Sequence, residues 1–331
     1  MRTRPAVRGA ALFTAAGLLL AGCGSDAGEG DTPAGGAGSS TGAFPVTVST
    51  AFGDVTVKEE PTRVVALGWS DAETALALGV QPVGASDWLG AGGDDGLGDW
   101  VEDTYDEAPE IIATMEPSYE AIAALEPDLI LDTRSEATQE RHDLLSAIAP
   151  TISQPEGVGP WQTSWEDQLE MVGQALGRSD EAAALKEEVD QAFADAAEEH
   201  PEFDGTEVAV GAYTAEGFGA YVRGDSRVAF MEQLGFVNKE AIEELATPNF
   251  YVPVSEEQLS LLDADLTVAF PIFVDAAEIT SNPLWGTLPS VQDGRAVILE
   301  DLTVLSAFSS ASVPGLLYAI DQTVPLFAAA L

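Results

Sequence analysis

One cysteine, two histidines and thirteen basic side chains are all that 331 positions supply of thiol, imidazole and positive charge. A lone Cys23 cannot form a disulfide within the chain, so no disulfide framework holds the fold. His142 and His200 lie far apart in sequence, and no Cys or His cluster has metal-ligand spacing, which argues against a bare transition-metal binder. The 13 Lys and Arg face 56 Asp and Glu, for a formal charge of −43. Such a field repels phosphate backbones and excludes nucleic acid as an expected partner. A solubility or salt adaptation of the surface explains the acidity without function; the sharper reading is that a neutral or cationic ligand is tolerated better than an anionic one.

What is present begins with a targeting segment. Arg2, Arg4 and Arg8 precede the short apolar run 10–20, so residues 1–22 read as a secretory leader, too short to span a bilayer comfortably. Leu20-Ala21-Gly22-Cys23 closes it. Residues 23–43, rich in Gly, Ser, Thr, Asp and Glu with no apolar period, read as a flexible tether.

From Phe44 the pattern changes. Val46-Thr47-Val48 and Val55-Thr56-Val57 flank Phe52-Gly53-Asp54 as a small hairpin. Arg63 to Leu67 is a run of the buried-strand type, 71–78 has helical spacing up to Gly79, and 81–85 is a second strand, which together imply a parallel unit. Asp94, Asp95, Asp99, Glu102 and Asp103 then fall in a glycine-bearing loop without the ordered spacing of a calcium loop. Helices are predicted over 118–125, 141–148 and 164–176, with a strand over 128–131. At 179–200, Ser179 as N-cap and Leu185, Val189, Ala192, Phe193 and Ala196 at three- and four-residue spacing predict a long amphipathic helix that Pro201 stops. Beyond it the alternation restarts: strands over 207–213, 266–270 and 296–299, and helices over 226–234 and 255–262. The apolar 312–331, which Asp321 and Pro325 interrupt, reads as a buried C-terminal helix rather than a membrane span. The fold class is α/β: two Rossmann-like lobes, 44–178 and 201–331, each with a mostly parallel sheet, joined by the single helix 179–200. One helix between lobes resists hinge bending, since its backbone hydrogen bonds would have to break.

The segments Ser118-Tyr119-Glu120 to Leu129 and Ser255-Glu256-Glu257 to Leu266 match in residue type at most positions, so each half carries the same helix-then-strand corner. Each Ser can cap its helix, and Glu120 and Glu257 stand in the first turns. The helix dipole alone favours a Glu there, by about 0.3 to 1 kcal/mol. As a matched pair they also suit docking to a two-fold partner that carries arginine.

In order along the chain, Leu20-Ala-Gly-Cys23, Pro61-Thr-Arg-Val-Val-Ala-Leu67, Ala77-Leu-Gly-Val-Gln-Pro-Val-Gly84, Pro117-Ser-Tyr-Glu120, Ala149-Pro-Thr151, Ala175-Leu-Gly-Arg178, Ser255 to Asp265 and Pro283-Leu-Trp285 resemble the substrate-binding lipoproteins of bacterial ABC importers. The group resembled serves ferric siderophores, haem and cobalamin, and the likeness is greatest to its actinobacterial iron-siderophore branch. The resemblance implies a diacylglycerol on Cys23 and no other covalent group. It further implies a monomer anchored by lipid alone to the outer face of the cell membrane, no enzyme activity, and delivery of a ferric siderophore to an ABC permease dimer. The Ser-x-Glu settings map the permease contacts onto Glu120 and Glu257, with Glu256 the neighbouring alternative.

Ligands of parallel sheets sit outside the carboxyl ends of strands. That rule nominates Trp69, Trp88, Arg134, Tyr213 and the stretch 270–273; Tyr221, Arg223 and Trp285 are added from expected loops. Aromatic walls with an arginine suit a large ligand with apolar linkers and a polar chelate. The scarcity of basic residues favours a hydroxamate over an anionic catecholate siderophore, with haem or cobalamin as the alternative in the same fold. From another class, a secreted hydrolase would want Gly-x-Ser-x-Gly, which Gly68-Trp69-Ser70-Asp71-Ala72 half matches.

Overall fold

Val64–Ala66 and Leu129–Asp132 are buried at every position, as expected of strands covered on both faces, and they pair in parallel with Val65 opposite Ile130. Around them the first sheet runs Glu110–Ile112, Gly84–Ser86, Val64–Ala66, Leu129–Asp132, Thr151–Ser153, all parallel. This computed structural model describes residues 44–90, 93, 95–101 and 104–331. The leader, Cys23 and the tether lie outside the described residues, as do Asp94, Glu102 and Asp103 of the acidic loop.

The second sheet runs Tyr251–Val254, Gly217–Tyr221, Glu207–Thr214, Leu266–Pro271, Ala296–Ile298, with Val237–Asn238 added beside Glu207–Thr214. Gly217–Tyr221 is antiparallel to both its neighbours, and the other pairings are parallel. The hairpin of Val46–Thr50 with Gly53–Val57 forms as expected. Periodicity does not reveal Glu110–Ile112 and Thr151–Ser153, which are three residues each, nor the glycine-interrupted Gly217–Tyr221. Tyr221 therefore ends a strand rather than lying in a loop.

The helix Ser179–Glu199 links the sheets. Its cap differs from expectation: Ser179 is already helical, and Arg178 stands at the N-cap without a side-chain capping bond. Ala182, Val189, Phe193 and Ala196 are its buried stripe. Ala182 reaches the preceding helix Trp165–Ala175 at Gly173, where a Cβ would stand 2.5 Å from the Ala182 methyl. Farther along, Phe193 meets Phe230 of the helix Ser226–Gln233 edge-on at 5.1 Å between ring centres.

The last helix, Val313–Ala330, is the one described helix long and apolar enough to cross a membrane. It packs instead against the linking helix and against Asp71–Ala77, burying Leu316, Ala319, Val324 and Phe327. Asp321 and Pro325 do not interrupt it. Both are exposed, so the carbonyl that Pro325 leaves unbonded faces solvent.

One buried ion pair fixes a helix to the first sheet. Arg141, on Gln139–Ser146, grips Asp132 at the end of its strand through Nε and Nη2 at 2.9 to 3.1 Å and donates Nη1 to the Thr114 carbonyl. Burial raises the Asp132 pKa against the pull of Arg141. Substituting Arg141→Ala leaves a buried carboxyl unpaired and is expected to lower the unfolding free energy by about 3 to 5 kcal/mol, whereas Arg141→Met with Asp132→Asn recovers most of it. Urea titrations of the three proteins check this, and a loss under about 1 kcal/mol for Arg141→Ala would count against the pair.

Candidate binding site

The site is assembled from strand ends. Beyond Ala66 and Asp132 the two chains stay paired, with Leu67 N–H donating to the Leu131 carbonyl and Trp69 N–H to the Arg134 carbonyl, both at 2.8 Å. Gly68 permits this approach: a Cβ there would meet the Asp71 carboxylate at 2.2 Å and the Arg134 nitrogen at 2.8 Å. The buried Asp71 carboxylate binds both ends together. It accepts from Gly68 N–H at 2.9 Å, Thr133 N–H at 3.0 Å, Gln168 Nε2 at 2.7 Å and the Thr133 hydroxyl. Burial raises its pKa to about 6 although Thr133 and Gln168 favour the charged form.

Trp69 and Arg134 thereby stand side by side on a cavity of about 810 Å³. Four of the six tryptophans line it: Trp69, Trp88, Trp100 and Trp161. Trp69 meets Trp88 edge-on at 5.1 Å and Trp161 at 6.2 Å, and Trp88 meets Trp100 at 5.7 Å. The Trp69 and Trp88 indole N–H groups make no hydrogen bond among the described residues. Trp100 is aimed by Glu73, which accepts its indole N–H at 3.1 Å, Gly98 N–H at 2.9 Å and the Ser312 hydroxyl. Burial raises the Glu73 pKa.

Arg134 is 5% exposed and has no carboxylate partner. It donates Nη1 to the Ser310 carbonyl at 2.9 Å, Nη2 to the Ser226 hydroxyl at 2.9 Å and Nε to the Trp161 carbonyl at 3.2 Å. Burial lowers its pKa to about 10, which leaves it charged at neutral pH. Ser70 donates to the same Ser310 carbonyl at 2.6 Å. Facing Arg134, Arg227 lies 4.0 Å over the Tyr221 ring and is paired with Asp225 through two bonds of 2.7 and 2.8 Å. Burial alone would lower the Arg227 pKa; Asp225 and Tyr221 hold it raised. Burial likewise pushes the Tyr221 phenol to about 12, so it stays a neutral donor. The remaining wall is Phe250, Phe270–Val274 and the helix Leu302–Ser310. Among the lining residues Trp88, Leu89, Trp161 and Phe273 hold positive φ, a backbone strain of the kind that concentrates at functional sites.

Of the residues nominated from sequence, Trp69, Trp88, Arg134 and Tyr221 line the cavity, as does the 270–273 stretch. Three others do not. Tyr213 packs against Phe218 at 4.6 Å, Trp285 lies flat on Phe218 at 5.7 Å within the core of the second sheet, and Arg223 is half-exposed on Glu232 at 2.8 Å. The strand carrying Tyr213 turns straight into an antiparallel hairpin, which closes its carboxyl end. Trp100, Trp161, Asp225 and Arg227 also line the cavity without a sequence signal that marks them: the tryptophans follow no strand, and Asp225 and Arg227 stand at the start of a helix that its apolar spacing and Gly235 announce. Ser118 caps its helix, accepting from Ala121 N–H, but Ser255 does not; it donates to Gln258 at 3.0 Å, and the second copy of the repeat is a 3-10 helix, Glu256–Leu262. Glu120 and Glu257 are both exposed.

Ser70 does occupy a left-handed elbow between strand and helix, yet its hydroxyl is committed to Ser310. His142 bonds Ser153 and Ser146, and His200 bonds Glu202, so the geometry assembles no triad around Ser70. No group of Asp, Glu, His or Cys among the described residues is arranged to hold a metal ion.

Comparisons with known proteins agree with this architecture. The chain is 28% identical over 265 residues to the probable siderophore-binding lipoprotein YfiY of Bacillus subtilis, covering 76% of this chain and 78% of that one. It is 28% identical over 257 residues to the Fe(3+)-citrate-binding protein YfmC of the same organism, covering 73% and 74%. PiaA of Streptococcus pneumoniae, solved in complex with ferrichrome, superimposes with a TM-score of 0.74 at 26% identity, covering 86% of this chain and 98% of that one. Residues 64–302 match the periplasmic binding protein family, and the chain belongs to it.

Proposed function

We propose that the chain is the substrate-binding lipoprotein of an ABC importer, held at the outer face of the cell membrane by a lipid on Cys23, and that its cavity captures a ferric siderophore of hydroxamate type. The observation that carries this reading is Arg134: one buried guanidinium without a counter-ion, set among four tryptophans. Asp225 neutralises Arg227, so the charged side chains lining the deep end sum to a single positive, with the buried Asp71 carboxylate behind them. A ferric tris-hydroxamate is neutral and presents a ring of oxygens to which one guanidinium can donate. A ferric tris-catecholate carries three negative charges, for which this end has one countercharge and the surrounding chain has a formal −43. The likenesses to a siderophore-binding lipoprotein and to a protein solved with ferrichrome support the same reading. Residues 44–178 and 201–331 serve as the two lobes in it, with the chain acting as a monomer.

Titrating the protein with a ferric tris-hydroxamate should quench tryptophan fluorescence to a 1:1 endpoint, with the chelate recovered unchanged. Arg134→Ala should weaken binding by roughly 10- to 100-fold, the worth of a charge-assisted hydrogen bond in a dry site. Tighter binding of a tri-anionic catecholate than of the hydroxamate would refute the charge argument.

Glu120 and Glu257, exposed at corresponding corners of the two halves, are the proposed contacts for arginines of the permease. Reversing both, Glu120→Arg with Glu257→Arg, should leave chelate affinity intact and abolish iron uptake in cells. Uptake at the ordinary rate would remove them from the docking surface.

A further inference from the structure

We infer that the chelate this cavity accepts carries an aliphatic chain, and that Phe273 and Leu302 at the mouth bind that chain and set specificity for it. This deepens the reading of the cavity as a ferric hydroxamate site and rests on it.

Polarity along the cavity is graded. Arg134, Asp225 and Arg227 are withdrawn at the deep end, beside the Ser226 and Ser309 hydroxyls and the Ser310 carbonyl. At the mouth, Phe273 is 85% exposed, Leu302 72% and Met115 49%. These are the three most exposed large hydrophobic side chains among the described residues, and all three line the same cavity. Leu89, also exposed, joins them. Among the described residues, the rim also carries Asp99, which accepts from Thr303 at 3.3 Å. Apolar patches left open by soluble proteins mark sites of contact, and this one is continuous with a ligand cavity rather than a separate face.

The backbone is also arranged to present it. Phe273 sits at φ 55, the left-handed region that costs a non-glycine residue about 1 to 2 kcal/mol, two residues after the buried strand Leu266–Pro271. Leu302 begins its helix immediately after the N-cap Asp301, whose carboxylate fixes Thr303 and Val304 N–H. Both side chains are thus held outward by structure behind them. A chelate seated with its oxygens on Arg134 would place any appended alkyl chain along Phe273 and Leu302.

The test compares two ligands that differ only in chain length: ferrioxamine B acylated on its terminal amine with acetyl or with octanoyl, both neutral. The full chain carrying Cys23→Ser, purified without detergent, is titrated with each by tryptophan fluorescence. The octanoyl chelate should bind at least about tenfold more tightly, well short of full burial of six methylenes at about fourfold each. In Phe273→Ser with Leu302→Ser that ratio should fall below about threefold, whatever happens to the affinity the two chelates share. Equal affinities in the unsubstituted protein would overturn the inference while leaving the hydroxamate reading intact; binding of neither chelate would overturn both. A ratio unchanged by the double substitution, with iron uptake lost, would assign the mouth to the permease instead and also overturn it. Displacement of the acetyl chelate by sodium octanoate alone would mark a fatty-acid site and count against a chelate-borne chain.

Discussion

The Asp71 carboxylate is the constraint on which the cavity depends. It is buried, it accepts four hydrogen bonds, and three of its donors belong to the ends of two neighbouring strands. Parallel strands normally diverge into separate loops once the ladder ends. Here Asp71 keeps Gly68 and Thr133 in contact for two residues more, so that Trp69 and Arg134 emerge together. A buried acid is a costly device, as its raised pKa records. What it secures is a fixed angle between an aromatic plane and a guanidinium.

The rest of the cavity repeats that logic with other buried polar groups. Glu73 orients Trp100 from the first turn of the helix that Asp71 begins. Asp225 neutralises Arg227 and caps the helix Ser226–Gln233, and the guanidinium then roofs Tyr221. Asp225 and Arg227 thus occupy each other, whereas Arg134 is bonded only to neutral oxygens. Electrostatic selection among ligands then falls to one residue, while shape and apolar area are the work of the aromatic walls.

How far this was legible in the sequence depends on whether a feature is local. Alternating buried strands and capped helices announce the α/β architecture, and the long spacing of Val189, Phe193 and Ala196 announces the linking helix. Trp69, Trp88 and Arg134 could be found because a parallel strand delivers its carboxyl end to a predictable place. The same rule misfired at Tyr213, whose strand folds back on Gly217–Tyr221, and aromatic character misled at Trp285, which stacks on Phe218 in a core. Trp161 and Trp100 depend on partners distant in sequence, and no local pattern marks Ser310 or Ser312 as their neighbours' acceptors and donors.

Ser310 and Ser312 have a consequence for assembly. Ser70 and Ser310 are 240 positions apart, and Glu73 and Ser312 are 239 apart, so the deep end of the cavity joins the beginning of the folded chain to its last helices. All strands of the first sheet lie within residues 64–153, but the carbonyl that Arg134 and Ser70 share arrives only with the final segment. Closing so long a loop is entropically late. A chain still emerging from the cell that makes it would therefore hold most of its tryptophan wall and none of its binding geometry, and competence to trap iron would appear in one step with completion of the fold.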